Sequence, residues 1–171
     1  ETGIQFANRI TENDTFNILD FEFVYNGGGV AAGDFNNDGL QDLYFTGNTA
    51  DNRLYINKGD FKFEDQTETA GVAGKGRWCS GVAAVDVNAD GWLDLYVCAT
   101  VYEPGARRKN LLYINQGADG PEVKFREMGV EYGVADTTHT TNAAFFDYDN
   151  DGDLDRSEER RVGKECVRLC R

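Results

Sequence analysis

Along this chain the apolar positions come in short bursts that never settle into a helical period. Runs such as Leu43-Tyr-Phe-Thr46, Leu54-Tyr-Ile-Asn57, Val82-Ala-Ala-Val85 and Leu95-Tyr-Val-Cys98 are rich in aromatic and β-branched residues and are bounded by Gly, Asn or Asp. With no recurrence at i, i+3 and i+4, the pattern predicts strands joined by turns.

The bursts recur in a fixed order, which makes the chain a repeat. Val30-Ala-Ala-Gly-Asp34 leads into an acidic loop, as do Val82-Ala-Ala-Val-Asp86 and Ala143-Ala-Phe-Phe-Asp147. A second strand, opening at Asp42 or Asp94, follows each of the first two loops. Leu54-Tyr-Ile-Asn57 is then echoed by Leu112-Tyr-Ile-Asn115, Phe61-Lys-Phe63 by Val123-Lys-Phe125, and Ala70-Gly-Val-Ala73 by Tyr132-Gly-Val-Ala135. The first aspartates stand 52 and then 61 residues apart. Four-stranded units of that length, unable to bury their faces alone, predict an all-β fold, a partial β-propeller.

The expected units are two complete blades, 28–73 and 80–135, and the start of a third at 142–155. Extra residues at Val101–Lys109 are expected to form a surface excursion containing the short basic run Arg107-Arg-Lys109, read as a solvated loop tip. A propeller closes with about 4 to 8 blades. A chain that begins at Glu1 without methionine, and whose third unit reaches only the end of its acidic loop at Asp155, is therefore expected to be a fragment with no return strand for that unit.

Each acidic loop has the spacing of a calcium site. Asp34, Asn36 and Asp38, then Asp86, Asn88 and Asp90, then Asp147, Asp149 and Asp151 occupy positions 1, 3 and 5, with Gly39, Gly91 or Gly152 at position 6 for the tight turn. Asp42, Asp94 and Asp155 add a carboxylate at position 9, and the carbonyls of Leu40, Trp92 and Asp153 are expected to supply position 7. Hard cations of this kind take about 6 to 8 oxygen ligands, mixing carboxylates, amides and carbonyls. An EF-hand would place an acid at position 12 on an outgoing helix, whereas position 12 here is Phe45 or Val97 inside a predicted strand. Asp, Asn and Gly are also ordinary turn formers, but turns alone do not require acids at positions 1, 5 and 9 three times over.

Beyond Asp155 the character changes. Arg156-Ser-Glu-Glu-Arg-Arg-Val-Gly-Lys-Glu-Cys166 resembles the in-frame translation of a sequencing adapter, and residues 156–171 carry a net charge of +3 against −16 for residues 1–155. This tail is expected to be artefactual and disordered, and carries no functional reading. Without it two cysteines remain, Cys79 and Cys98, flanking the second loop. Mirroring the hairpin about Asp90 does not bring them opposite each other, and a bridge is left open.

Aspartates in the loops explain much of the acidity, which argues against a nucleic-acid partner. No run of 18 apolar residues suggests a membrane span. Asn13-Asp-Thr15 matches a glycosylation sequon and is read as a chance match. The lone histidine, His139, has no Ser or Cys motif beside it and reads as a hydrogen-bonded loop residue. Trp78 reads as core or inter-blade packing, while Tyr25 and Trp92 are candidates for contact with a carbohydrate or protein.

The loops with their flanking strands resemble FG-GAP repeats, also called VCBS-type repeats. Tyr25-Asn-Gly-Gly-Gly-Val-Ala-Ala-Gly-Asp34 and Phe145-Phe-Asp-Tyr-Asp-Asn-Asp-Gly-Asp-Leu154 are similar to bacterial cartilage acidic protein-like members, a resemblance that covers residues 1–155. It implies a secreted or surface-attached calcium-binding propeller, in such members commonly followed by an ASPIC/UnbV domain. The expected function is extracellular binding, adhesion or scaffolding with Ca²⁺ as a structural ion, at the cell surface or in a periplasmic or outer-membrane-attached setting. The alternative is a propeller hydrolase or lyase whose catalytic residues lie in other blades, because this architecture hosts unrelated functions.

Overall fold

The computed structural model describes the chain apart from residues 15, 20–23, 102–104, 121, 161–162 and 169–171, and apart from the side chains of residues 119, 160 and 163–168. Thr15 of the sequon, the centre of the Val101–Lys109 excursion and the end of the basic tail thus lie outside the described residues.

Two four-stranded antiparallel sheets match the two complete units. The first runs β1 (Val30–Gly33), β2 (Asp42–Phe45), β3 (Arg53–Asn57) and β4 (Phe63–Asp65), in that spatial order. A single helical turn, α1 (Thr67–Ala70), ends at Gly71, whose left-handed φ of 77° returns the chain toward the next unit. The second sheet repeats the order with β5 (Trp78–Val85), β6 (Asp94–Thr100), β7 (Leu111–Asp119) and β8 (Glu122–Glu127). Between β6 and β7 a 3-10 turn, Gly105–Arg108, carries most of the basic run. Its arginines do more than face water: Arg107 Nε donates to the Gly76 carbonyl and Arg108 Nε to that of Thr137.

One strand boundary departs from expectation. Phe61 belongs to the β3–β4 reversal, where Asp60 and Phe61 both take positive φ (51° and 55°), and its ring is 81% exposed. The corresponding Val123 is buried within β8.

The third unit holds β9 (Thr140–Phe146), β10 (Asp155–Arg160) and β11 (Gly163–Arg168), ordered β11-β10-β9. A return strand therefore does follow the third loop, contrary to the expectation of none and of a disordered tail. The loop decides this, because it turns the chain back on itself and pairs Asp155 with Phe146 as it pairs Asp94 with Val85 and Asp42 with Gly33. Backbone pairing tolerates foreign side chains, and the side chains here are out of keeping with the repeat. Arg156 and Glu158 are 2% and 1% exposed where the other units place Leu43 and Phe45, or Leu95 and Val97. Arg156 Nε lies 3.2 Å from Glu158 Oε1, and Arg156 Nη1 donates to the Tyr96 hydroxyl and the Val134 carbonyl.

The sheets stack face to face. Tyr44, Leu54 and Ile56 of the first meet Leu95, Val97, Leu111 and Tyr113 of the second in one core, while Tyr96, Leu112 and Ile114 on the other face of the second sheet pack toward Ala143 and Phe145 of the third. First strands lie side by side, with Gly29 N–H on the Ser80 carbonyl at 2.8 Å. Gly29 must lack a side chain here, since a Cβ would sit 2.8 Å from that same oxygen. Sheets fanned about adjoining first strands are the geometry of propeller blades.

The two cysteines fall into different cores. Cys79 pairs in register with Ala99, not Cys98, so the pleat turns Cys79 toward the first sheet and Cys98 toward the third, and both are free and buried. Burial pushes the Cys79 thiol up to about 11. Trp78 is buried against Phe16, while Tyr25 is exposed and Trp92 half-buried over Gly117.

Candidate metal centre

All three acidic loops adopt one backbone course. Position 4 is left-handed at Asn37, Ala89 and Asn150 (φ 55°, 56° and 58°), and so is position 6 at Gly39, Gly91 and Gly152 (86°, 88° and 91°). The two inversions curl the backbone around the first aspartate. Asp34 accepts the N–H groups of Asp38 and Gly39 at 3.0 and 2.7 Å, Asp86 those of Asp90 and Gly91 at 3.1 and 2.9 Å, and Asp147 those of Asp151 and Gly152 at 3.1 and 3.0 Å. The carboxylate at position 5 then accepts from position 7, as Asp38 does from Leu40, Asp90 from Trp92 and Asp151 from Asp153.

This curl converges side-chain oxygens. In the third loop one carboxylate oxygen from each of Asp147, Asp149 and Asp151 lies within 4.8 Å of the others, and all three residues are exposed. In the first two loops an amide occupies position 3, where Asn36 bonds Asp38 at 2.9 Å and Asn88 bonds Asp90 at 2.8 Å. The donor set of carboxylate, amide and carbonyl oxygens suits a hard divalent cation, which would offset the repulsion of the clustered acids.

Position 9 plays a different part. Asp42 is buried and both its oxygens are engaged, one by Phe35 N–H at 2.9 Å and the other by Asn57 N–H at 2.8 Å. Asp94 repeats this with Val87 and Asn115, and Asp155 accepts from Tyr148. Asp155 lies outside the third-loop cluster. Burial pushes the carboxyls of Asp42 and Asp94 up to about 6 despite these hydrogen bonds. Each of these two position-9 aspartates ties the loop to the third strand of its own sheet, a fastening role that spacing alone did not distinguish from ligation.

Sequence reasoning missed four asparagines that join the parts. Asn115 donates from its side chain to the carbonyls of Phe35 and Leu93, linking the loops of adjacent sheets, and Asn37 donates to Gly91 across the same gap. Asn110 bonds the Tyr96 hydroxyl, as Asn52 bonds that of Tyr44, and those hydroxyls donate to the carbonyls of Val134 and Val72 in the connectors. The available signal was an Asn two residues before both Leu54-Tyr55 and Leu112-Tyr113. His139 Nδ1 sits 3.2 Å from the Thr100 hydroxyl and 3.3 Å from the Val101 N–H, a loop tether as expected.

Comparison with known proteins agrees with this geometry. The FG-GAP-like repeat model matches residues 34–97, spanning the first two loops and the strands between them. Cartilage acidic protein 1 of Xenopus tropicalis is 32% identical over 135 residues, and that of Homo sapiens 31% over 135, each covering 77% of this chain. The Mus musculus protein is 31% identical over 132 residues. The chain spans 19% of the length of each of these relatives. With its repeated four-stranded sheets and matching loops, the chain carries FG-GAP-like repeat sequence over residues 34–97 and is similar to these proteins.

Proposed function

We propose that the three loops bind calcium and that the ions stiffen a repeat scaffold working outside the cell or on its surface as a binding or adhesion module. The observation that carries this reading is the threefold recurrence of one loop course, in which backbone N–H groups orient the first aspartate and, in the third loop, carboxylate oxygens of positions 1, 3 and 5 draw together. Asp34, Asn36 and Asp38, with their counterparts in the other loops, would hold the ion, and the carbonyls of Leu40, Trp92 and Asp153 are the proposed further donors. The position-9 aspartates stand next to these groups as ligands or as fasteners.

Calcium supplies charge neutralisation here and no bond chemistry. Without it, clustered carboxylates oppose the curl; with it, each hairpin is pinned between the first two strands of its blade. Extracellular calcium modules work at about 10⁻⁴ to 10⁻³ M, a range that leaves such sites empty at cytosolic levels. The similarity to proteins named for cartilage supports the same setting. Calorimetric titration tests the assignment: calcium should bind at three sites, and Asp38→Ala should remove one of them. Unchanged stoichiometry in that variant would overturn the ligand set.

A further inference from the structure

The first sheet turns one face away from the second, and that face repeats the one by which the second sheet packs on the first. Val30, Ala32, Leu43, Phe45 and Tyr55 occupy the positions of Val82, Ala84, Leu95, Val97 and Tyr113, which lie in or against the core between the two sheets. Val30 is nevertheless 56% exposed. Asn57, in the place of Asn115, donates to the Gln41 carbonyl of its own sheet, whereas Asn115 also reaches Phe35 on the neighbouring one.

The N-terminal residues lie across this face in a recognisable way. Thr2-Gly3-Ile4 aligns with Ala70-Gly71-Val72 and Tyr132-Gly133-Val134, and all three glycines are left-handed, at φ 86°, 77° and 67°. Gly3 stands over the Phe63 carbonyl of β4, as Gly71 stands over that of Phe125 in β8, the corresponding residue of the second sheet. Gln5 N–H donates to the Tyr55 hydroxyl at 3.2 Å. Phe6 stacks on Phe45 with ring centroids 5.2 Å apart. Residues 1–10 thus sit on the first sheet as the α1 connector sits on the second.

We propose that residues 1–10 are the closing connector of another four-stranded unit of this repeat, and that the Val30–Phe45–Tyr55 face is the seat of that unit within the parent polypeptide. In both complete units the second-strand tyrosine donates to the connector valine carbonyl, Tyr44 to Val72 and Tyr96 to Val134. The seated unit should present a tyrosine to the Ile4 carbonyl in the same manner.

The test is maleimide labelling of Val30→Cys, mapped by peptide mass, in this 171-residue chain and in a longer polypeptide from the parent gene. Labelling should be about tenfold slower in the longer polypeptide, as local burial requires, while Phe61→Cys in the exposed turn labels equally in both. Equal rates at Val30→Cys would overturn the proposal. So would protection in the short chain that grows with its concentration, which would make the face a contact between copies. Independently, Gly3→Ala should speed tryptic cleavage after Arg9 by lifting the connector from the Phe63 carbonyl; an unchanged rate would show that the segment is not seated through Gly3.

Discussion

At the scale of single residues, position 4 of the loops sets the finest constraint. Asn37 and Asn150 hold left-handed backbone there, and asparagine tolerates that region because its short side chain can bond locally. Ala89 takes the same conformation at φ 56° with no such compensation. Replacing Ala89 by Asn should stabilise the chain by about 1 kcal/mol, the low end of the left-handed penalty. Urea denaturation with an unchanged m-value would measure it. An equal or lower midpoint would mean that the second loop carries no strain at Ala89. The spacing of the acids was legible in the sequence, but this strain was not, because φ belongs to the folded loop and not to the residue type.

At the scale of elements, the joints between sheets rest on a few polar side chains set in apolar faces. Asn115→Ala would leave the Phe35 and Leu93 carbonyls without their amide donor. A cost of about 1 to 3 kcal/mol is expected for unpaired buried groups, read as a lower denaturant midpoint, and a loss within error would relegate the joint to packing. The β10 side chains pose the opposite case. Removing Arg156 alone strands Glu158 at 1% exposure, which should cost about 3 to 5 kcal/mol if the strand remains docked. Arg156→Leu with Glu158→Val restores the apolar pattern of the other blades and should be neutral or stabilising by about 1 to 4 kcal/mol. A double variant less stable than the parent would show that the ion pair holds the third sheet in place. The sequence marked residues 156–171 as out of keeping but missed that hairpin pairing would still draw Arg156–Arg160 into a strand.

At the scale of the whole molecule, the loops, joints and faces combine into a scaffold whose stability should follow calcium. With free calcium at about 100 times the dissociation constant, one site adds about 2.7 kcal/mol if the unfolded chain does not bind. A thermal melt in calcium should therefore lie well above the same melt in chelator, and coincident curves would remove the ion from the account of stability. The effect is expected to spread between blades, since Asn37 and Asn115 tie the first loop to the second.

The sequence by itself determined the repeat, its four-strand unit, the antiparallel hairpins and the spacing of oxygen-bearing side chains at positions 1, 3 and 5. All of these follow from local periodicity and turn chemistry, which act over a few residues. Tertiary structure alone decided that Asp42 and Asp94 fasten their loops to the sheet, because the N–H groups of Asn57 and Asn115 reach them from β3 and β7. It also decided that Cys79 and Cys98 part to opposite faces, and that residues 1–10 lie on the first sheet as a connector lies on the second. Those outcomes depend on pleat parity and on contacts between distant segments, which no local pattern encodes.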